Sequence, residues 1–220
     1  MTSPLNRSTV IRFFIFVLML APVVACAQQP EPISLPQPRT DGGRPLMQVL
    51  SERYSSREFS PQELPPQILG DLLWAAAGIN RPDSGKRTAP TARNMQQIDV
   101  YVAMATGLYL YDEKEHALVP VLDADVRAVT GRQEFAASAP VNLVFVADFA
   151  RMGGASDEHK VFYSATDTGF ISQNVYLFCA SEGLATVVRG AVDRPALAEA
   201  MGLRPDQRVI LAQTVGYPKQ

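Results

Sequence analysis

Cysteine and histidine are scarce in this 220-residue chain, with two of each. One cysteine, Cys26, lies in an N-terminal apolar run, so Cys179 alone remains in the rest and no disulfide can form within it. Such a fold must be held by its core. His116 and His159 have no cysteine or carboxylate cluster around them, which leaves zinc without a ligand set; both read as surface residues. Charge of one sign is missing too: 20 basic and 22 acidic residues leave a net of −2, a poor match to nucleic acid. No apolar run reaches the roughly twenty residues that a membrane-spanning helix needs. Ser172 and Ser181 lack the G-x-S-x-G setting of a hydrolase nucleophile, and Cys179 sits among apolar neighbours that favour a core thiol over a reactive one.

What is present begins with FFIFVLMLAPVVACA, Phe13 to Ala27, preceded by Arg7 and Arg12 and by no acid. This is the layout of a signal peptide. Ala25-Cys26-Ala27 offers a small-x-small cleavage site after Ala27, which predicts a chain released in soluble form to the periplasm or the exterior. Val23-Val24-Ala25-Cys26 also resembles a bacterial lipobox, so a lipid anchor at Cys26 is the alternative. Without residues 1–27 the net charge is −4, 18 basic against 22 acidic. Residues 28–45, QQPEPISLPQPRTDGGRP, are rich in Pro, Gln and Gly and predict a flexible linker, leaving one domain over residues 46–220.

Pro45 can open a helix in which Leu46, Val49 and Leu50 share a face. A second amphipathic helix runs through QELPPQILGDLLWAAA and ends at Gly78, with Trp74 read as core. IDVYVAMA, GLYLYD and ALVPVL alternate as strands, the last two pairing across DEKEH. DADVRAVTGRQEF reads as a short helix, and APVNLVFVAD as a strand covered on both faces. From Val161 to Glu182 apolar residues nearly encircle a helix, which predicts a central position or a subunit interface; Gly183 stops it. ATVVR, PALAEAMG and RVILAQTVGYP follow as strand, helix and strand. The mixed order predicts an α+β domain, a mainly antiparallel central sheet flanked by helices.

Two connections are unusually dense in donors. RYSSREFS, residues 53–60, has a bland reading as a polar turn before a helix and a functional one as an anion cradle of arginine forks and serine hydroxyls. Residues 79–97, INRPDSGKRTAPTARNMQQ, lack apolar periodicity and read as a long irregular loop, either solvated or holding a ligand with its Asn and Gln side chains.

Arg53, Ser55, Arg57 and Phe59 before a helix, Pro90, Thr91, Asn94 and Gln96 before a strand, Gln173 and Asn174 on the long helix followed by Gly183-Leu184, and the closing Gly216-Tyr217-Pro218 appear in an order that resembles the FMN-dependent nitroreductase family. The branch it looks most like includes the azoline-ring dehydrogenases of thiazole and oxazole peptide maturation. The resemblance covers Leu46 to the C-terminus and implies a homodimer with FMN in its interface. It places Arg53, Ser55 and Arg57 at the FMN phosphate and ribityl chain, with Lys219 near a basic phosphate contact. Thr91 and Asn94 would approach the flavin from the other subunit, Gln96 is implied among the cofactor-binding residues, and the backbone of Val188, Arg189 and Gly190 would pass the flavin N5 edge. No side chain is implied as an acid or base, because the flavin does the chemistry on a small-molecule substrate. The alternative is a non-catalytic envelope protein that binds a flavin or another phosphorylated ligand.

Overall fold

The computed structural model describes residues 31–219; the expected leader and Cys26 lie outside them. Nine strands and five α-helices follow in chain order, with short 3-10 turns between them: β1 (Ile33–Ser34), α1 (Leu46–Glu52), α2 (Pro66–Ala77), β2 (Ile79–Arg81), β3 (Lys86–Arg87), β4 (Ile98–Met104), β5 (Gly107–Asp112), β6 (Ala117–Leu122), α3 (Phe135–Ser138), β7 (Val141–Asp148), α4 (Asp157–Glu182), β8 (Ala185–Arg189), α5 (Arg194–Ala200) and β9 (Gln207–Gly216). Seven strands form one sheet in the order β1-β6-β5-β4-β7-β9-β8, every pair antiparallel, while β2 and β3 make a separate hairpin. This is the expected α+β fold.

The two faces of the sheet bury different helices, as strand alternation requires. Along β7, Leu143, Phe145 and Ala147 pack with Leu72, Leu73, Ile171 and Val175 of α2 and α4. Val144 and Val146, on the other face, pack with Leu197 and Met201 in and after α5. That is why VNLVFVAD carries almost no polar residue and is buried throughout. Helix α4 is capped at both ends: the Ser156 hydroxyl accepts from the His159 N–H, and Gly183 takes the left-handed conformation, φ +70°, that ends the helix. Gly78 ends α2 in an extended conformation, where a Cβ would collide with Trp74.

Four expectations change. Residues 31–45 are packed against the domain: β1 extends the sheet beyond β6, Leu35 is buried, and Arg39 donates to the buried Asp71 of α2 from N and Nε at 2.9 and 2.7 Å. The segment 123–135 is two short pieces, a 3-10 turn Arg127–Thr130 and then α3, broken at Gly131, where a Cβ would occupy the space of the Arg189 guanidinium. Residues 79–97 hold the β2–β3 hairpin and a 3-10 turn, Ala92–Asn94, where a long irregular loop is expected. His116 is a half-buried clamp, with Nδ1 at 2.9 Å from the Tyr111 hydroxyl and Nε2 at 2.9 Å from the Pro36 carbonyl.

Candidate functional site

The stretch Arg53 to Ser60 lies along the free edge of β8. The Ser56 N–H donates to the Thr186 carbonyl at 3.0 Å, the Ser60 N–H to the Tyr217 carbonyl at 2.8 Å, and Phe59 bridges to Pro218. Phe59 is the footing: it is buried beside Ala139, Ala185 and Val187, its ring 5.3 Å from that of Phe135. Gly216 of the Gly-Tyr-Pro ending leaves room for this junction, since a Cβ there would come within 2.8 Å of Pro140. With its backbone and Phe59 tied down, the strip presents Arg53 half-buried and Ser55 and Arg57 exposed. Lys219 joins them, its N–H directed at the Glu58 carbonyl at 3.4 Å. Three cations and a hydroxyl on one short strip suit an anion.

Tyr176, on α4, is a site residue that nothing in the sequence marks. Its hydroxyl lies 2.8 Å from Ser55 Oγ and accepts from the Val188 N–H at 3.0 Å, and the Arg53 guanidinium sits 5.2 Å from its ring centre. Since β8 is an edge strand, Thr186 and Val188 turn their backbone groups outward, while Gly190 follows the end of the strand with its carbonyl accepting from the Val192 N–H at 2.9 Å. The Thr186 carbonyl is engaged by the Ser56 N–H and the Val188 N–H by Tyr176. Gly190 is exposed, and a Cβ there would meet only Leu211, at 3.8 Å. The glycine therefore leaves exposed backbone just past the end of β8.

Arg189 belongs to the opposite face. Its buried guanidinium donates to the Thr130 carbonyl at 2.9 Å, to Thr130 Oγ1 at 3.2 Å and to Asn142 Oδ1 at 2.8 Å, and burial without a carboxylate pulls its pKa down to about 10. Its guanidinium is turned away from the site and its backbone pairs with Ala212 of β9, so the expected Arg189 contact is not made.

The second donor-rich segment is held elsewhere. Thr91 Oγ1 donates to Asp167 Oδ2 at 2.9 Å, and the Ala92 N–H and Gln97 Nε2 reach the same oxygen at 3.2 and 2.8 Å. Asp167 is buried, so it is fully committed to fixing this loop. Arg93, Asn94 and Gln96 take left-handed φ values of 53°, 56° and 48°, a strained run that the Asp167 bonds must sustain. Asn94 is exposed and accepts from Gln96 Nε2 at 3.2 Å, while Gln96 also donates to the Gly85 carbonyl. Asn174, from the Gln-Asn pair, spans α4 and α2 by donating to the Ala75 carbonyl at 3.0 Å.

Within one chain the two segments do not meet. Asp167 and Tyr176 are separated along α4 by about 13 Å at 1.5 Å per residue. The cleft beside Tyr176, lined by Arg44, Tyr54 and Thr186, holds about 130 Å³, and a larger one of about 520 Å³ lies next to it between residues 39–46, α2 and α4. The smaller cleft cannot by itself enclose a cofactor-sized ligand.

The family model described as "Nitroreductase family" matches residues 50–217, from the end of α1 to the Gly-Tyr-Pro ending. The chain belongs to the nitroreductase family. Among solved structures, a Ralstonia eutropha JMP134 protein named as a nitroreductase is 45% identical, with a TM-score of 0.84 over 93% of this chain and 97% of that one. Among curated proteins, MJ1384 of Methanocaldococcus jannaschii, also named as a nitroreductase, is 31% identical over 156 residues, 66% of this chain and 78% of that protein. A chain of the E. coli microcin synthetase McbBCD complex shares the fold at 19% identity, with a TM-score of 0.69 over 92% of this chain and 85% of that one. As a nitroreductase, the protein is a flavin-dependent oxidoreductase.

Proposed function

We propose that this nitroreductase uses FMN, holds it in the interface of a homodimer, and exchanges electrons with a small organic substrate. The observation that carries the reading is the exposed strip of Arg53, Ser55 and Arg57, joined through Tyr176 to the backbone of Val188 on the edge strand. The cationic strip suits a single terminal phosphate, and the exposed backbone at Gly190, just past β8, suits a polar ring edge. When bound, the flavin supplies uptake and release of a hydride equivalent at N5. The protein supplies binding and orientation: Arg53 and Arg57 neutralise the phosphate, Ser55 donates to it or to the ribityl oxygens, and the Gly190 backbone meets the ring edge. The Thr91–Gln96 loop, held rigid by Asp167, faces outward for a neighbouring subunit. A dimer is further supported by the exposed apolar side chains of α1 and α4, which pack on each other: Leu46, Met47 and Leu50 on one, Val161, Phe162 and Phe170 on the other.

The reading includes export, supported by Arg7, Arg12 and the apolar run to Ala27, with Cys26 as the site of a lipid anchor if cleavage precedes it. An exported enzyme meets little nicotinamide cofactor, so its electrons come from its own substrate or from another redox protein. The test is spectroscopic. Purified protein mixed with FMN should show a bound-flavin absorption spectrum and turn over a quinone or nitroaromatic acceptor once reduced. Colourless protein whose melting temperature FMN does not raise would contradict the reading.

A further inference from the structure

We infer that Tyr176 is a positioning residue of the flavin site, whose hydroxyl sets the direction of the Ser55 O–H. The inference rests on the FMN reading above. A phenol has one hydrogen to give and lone pairs to accept with. The Val188 N–H, at 3.0 Å, occupies one lone pair of Tyr176 Oη, and Ser55 Oγ stands 2.8 Å away. Were Ser55 to donate to Tyr176, the phenolic hydrogen, on a ring 7% exposed, would have no acceptor among the described contacts. An orphaned buried donor is costly. The satisfied arrangement runs one way: Val188 N–H to Tyr176, Tyr176 O–H to Ser55, and the Ser55 O–H outward from its exposed position.

Two consequences follow for the ligand. The Ser55 hydroxyl arrives as a donor and not an acceptor, as a phosphate or ribityl oxygen requires, and each bond in such a chain strengthens the next. The Val188 N–H is taken up inside the protein by the same hydroxyl and is not left for a ligand. One hydroxyl thus joins the anion strip, α4 and β8 in a single register, while the Arg53 guanidinium rests on the ring below.

Tyr176→Phe removes the hydroxyl and keeps the ring. FMN dissociation constants from flavin fluorescence should rise about tenfold, the size of one well-made hydrogen bond to a charged partner. The double variant with Ser55→Ala should bind within about twofold of Ser55→Ala alone, because the two hydroxyls act as one unit. A variant with a lower melting temperature but unchanged FMN affinity shows a purely structural tyrosine and overturns the inference, as do additive effects in the pair. Should Tyr176→Phe fail to fold, Ser55→Ala, at an exposed position, carries the test: unchanged affinity there overturns it equally. Wild-type protein that binds no FMN overturns the functional reading and this inference together, whereas wild-type binding with an indifferent Tyr176→Phe overturns the inference alone.

Discussion

Gly131 and Gly190 are both glycines for want of a Cβ, and they serve opposite ends. At Gly131 the missing methyl is filled by the Arg189 guanidinium; at Gly190 nothing of this chain fills it. Gly131→Ala should therefore destabilise the fold by about 1–3 kcal/mol, as overpacking does, when measured by urea denaturation. Gly190→Ala should leave stability nearly unchanged and weaken FMN binding. If the two variants exchange these effects, the bare backbone at Gly190 is not a ligand surface. At this scale the sequence is legible where polar groups crowd together: Arg53, Ser55 and Arg57 stand out because a turn does not need so many donors. Tyr176 and Asp167 are not legible, since each sits among apolar residues at helical spacing and its role depends on partners 121 and 76 residues away. Arg189 is similar: nothing near it in sequence signals a guanidinium buried against Thr130 and Asn142, 59 and 47 residues distant.

Regular elements are the most legible level, because their periodicity is local. β4 to β7, α2, α4 and the closing β9 all follow from alternation or three-and-four spacing, and Gly183 from its place at a helix end. Segments decided by tertiary contact are not. The 31–45 stretch has the composition of a linker, yet the unpaired edge of β6, the buried Asp71 and His116 hold it in place. His116 makes that attachment sensitive to pH. Burial is the main influence on its imidazole and lowers its pKa below the ordinary 6.5. The unfolded chain thus binds a proton at pH values where the folded one resists it, and the clamp's contribution is present above about pH 6.5 and fades as pH falls. Asn tolerates the φ of 48° at this position, so His116→Asn removes the titration without forcing the backbone. The gap in melting temperature between wild type and His116→Asn should be widest near pH 7.5 and narrow towards about pH 5. A gap independent of pH would remove His116 as the titrating clamp.

For the whole molecule, the sequence carried the fold and the family through the order of its four motifs, while the relation of the two donor-rich loops needed the structure. They are anchored to α4 at Tyr176 and at Asp167, about 13 Å apart along the helix. Phe170, 43% exposed on α4, lies on the surface proposed to close the dimer. Light scattering should give twice the chain mass for the wild type, and Phe170→Asp should shift it to monomer, keep its circular dichroism and lose FMN. A monomeric wild type that binds FMN fully would confine the site to one chain. The central claim is that the Arg53 to Arg57 strip holds the FMN phosphate. Its most direct test is FMN retention, by equilibrium titration, in Arg53→Ala, Arg57→Ala and Lys219→Ala. Both arginine variants should lose at least about tenfold in affinity, the loss expected of a charge-assisted bond, and Lys219→Ala far less. Equal retention in all three would contradict the account.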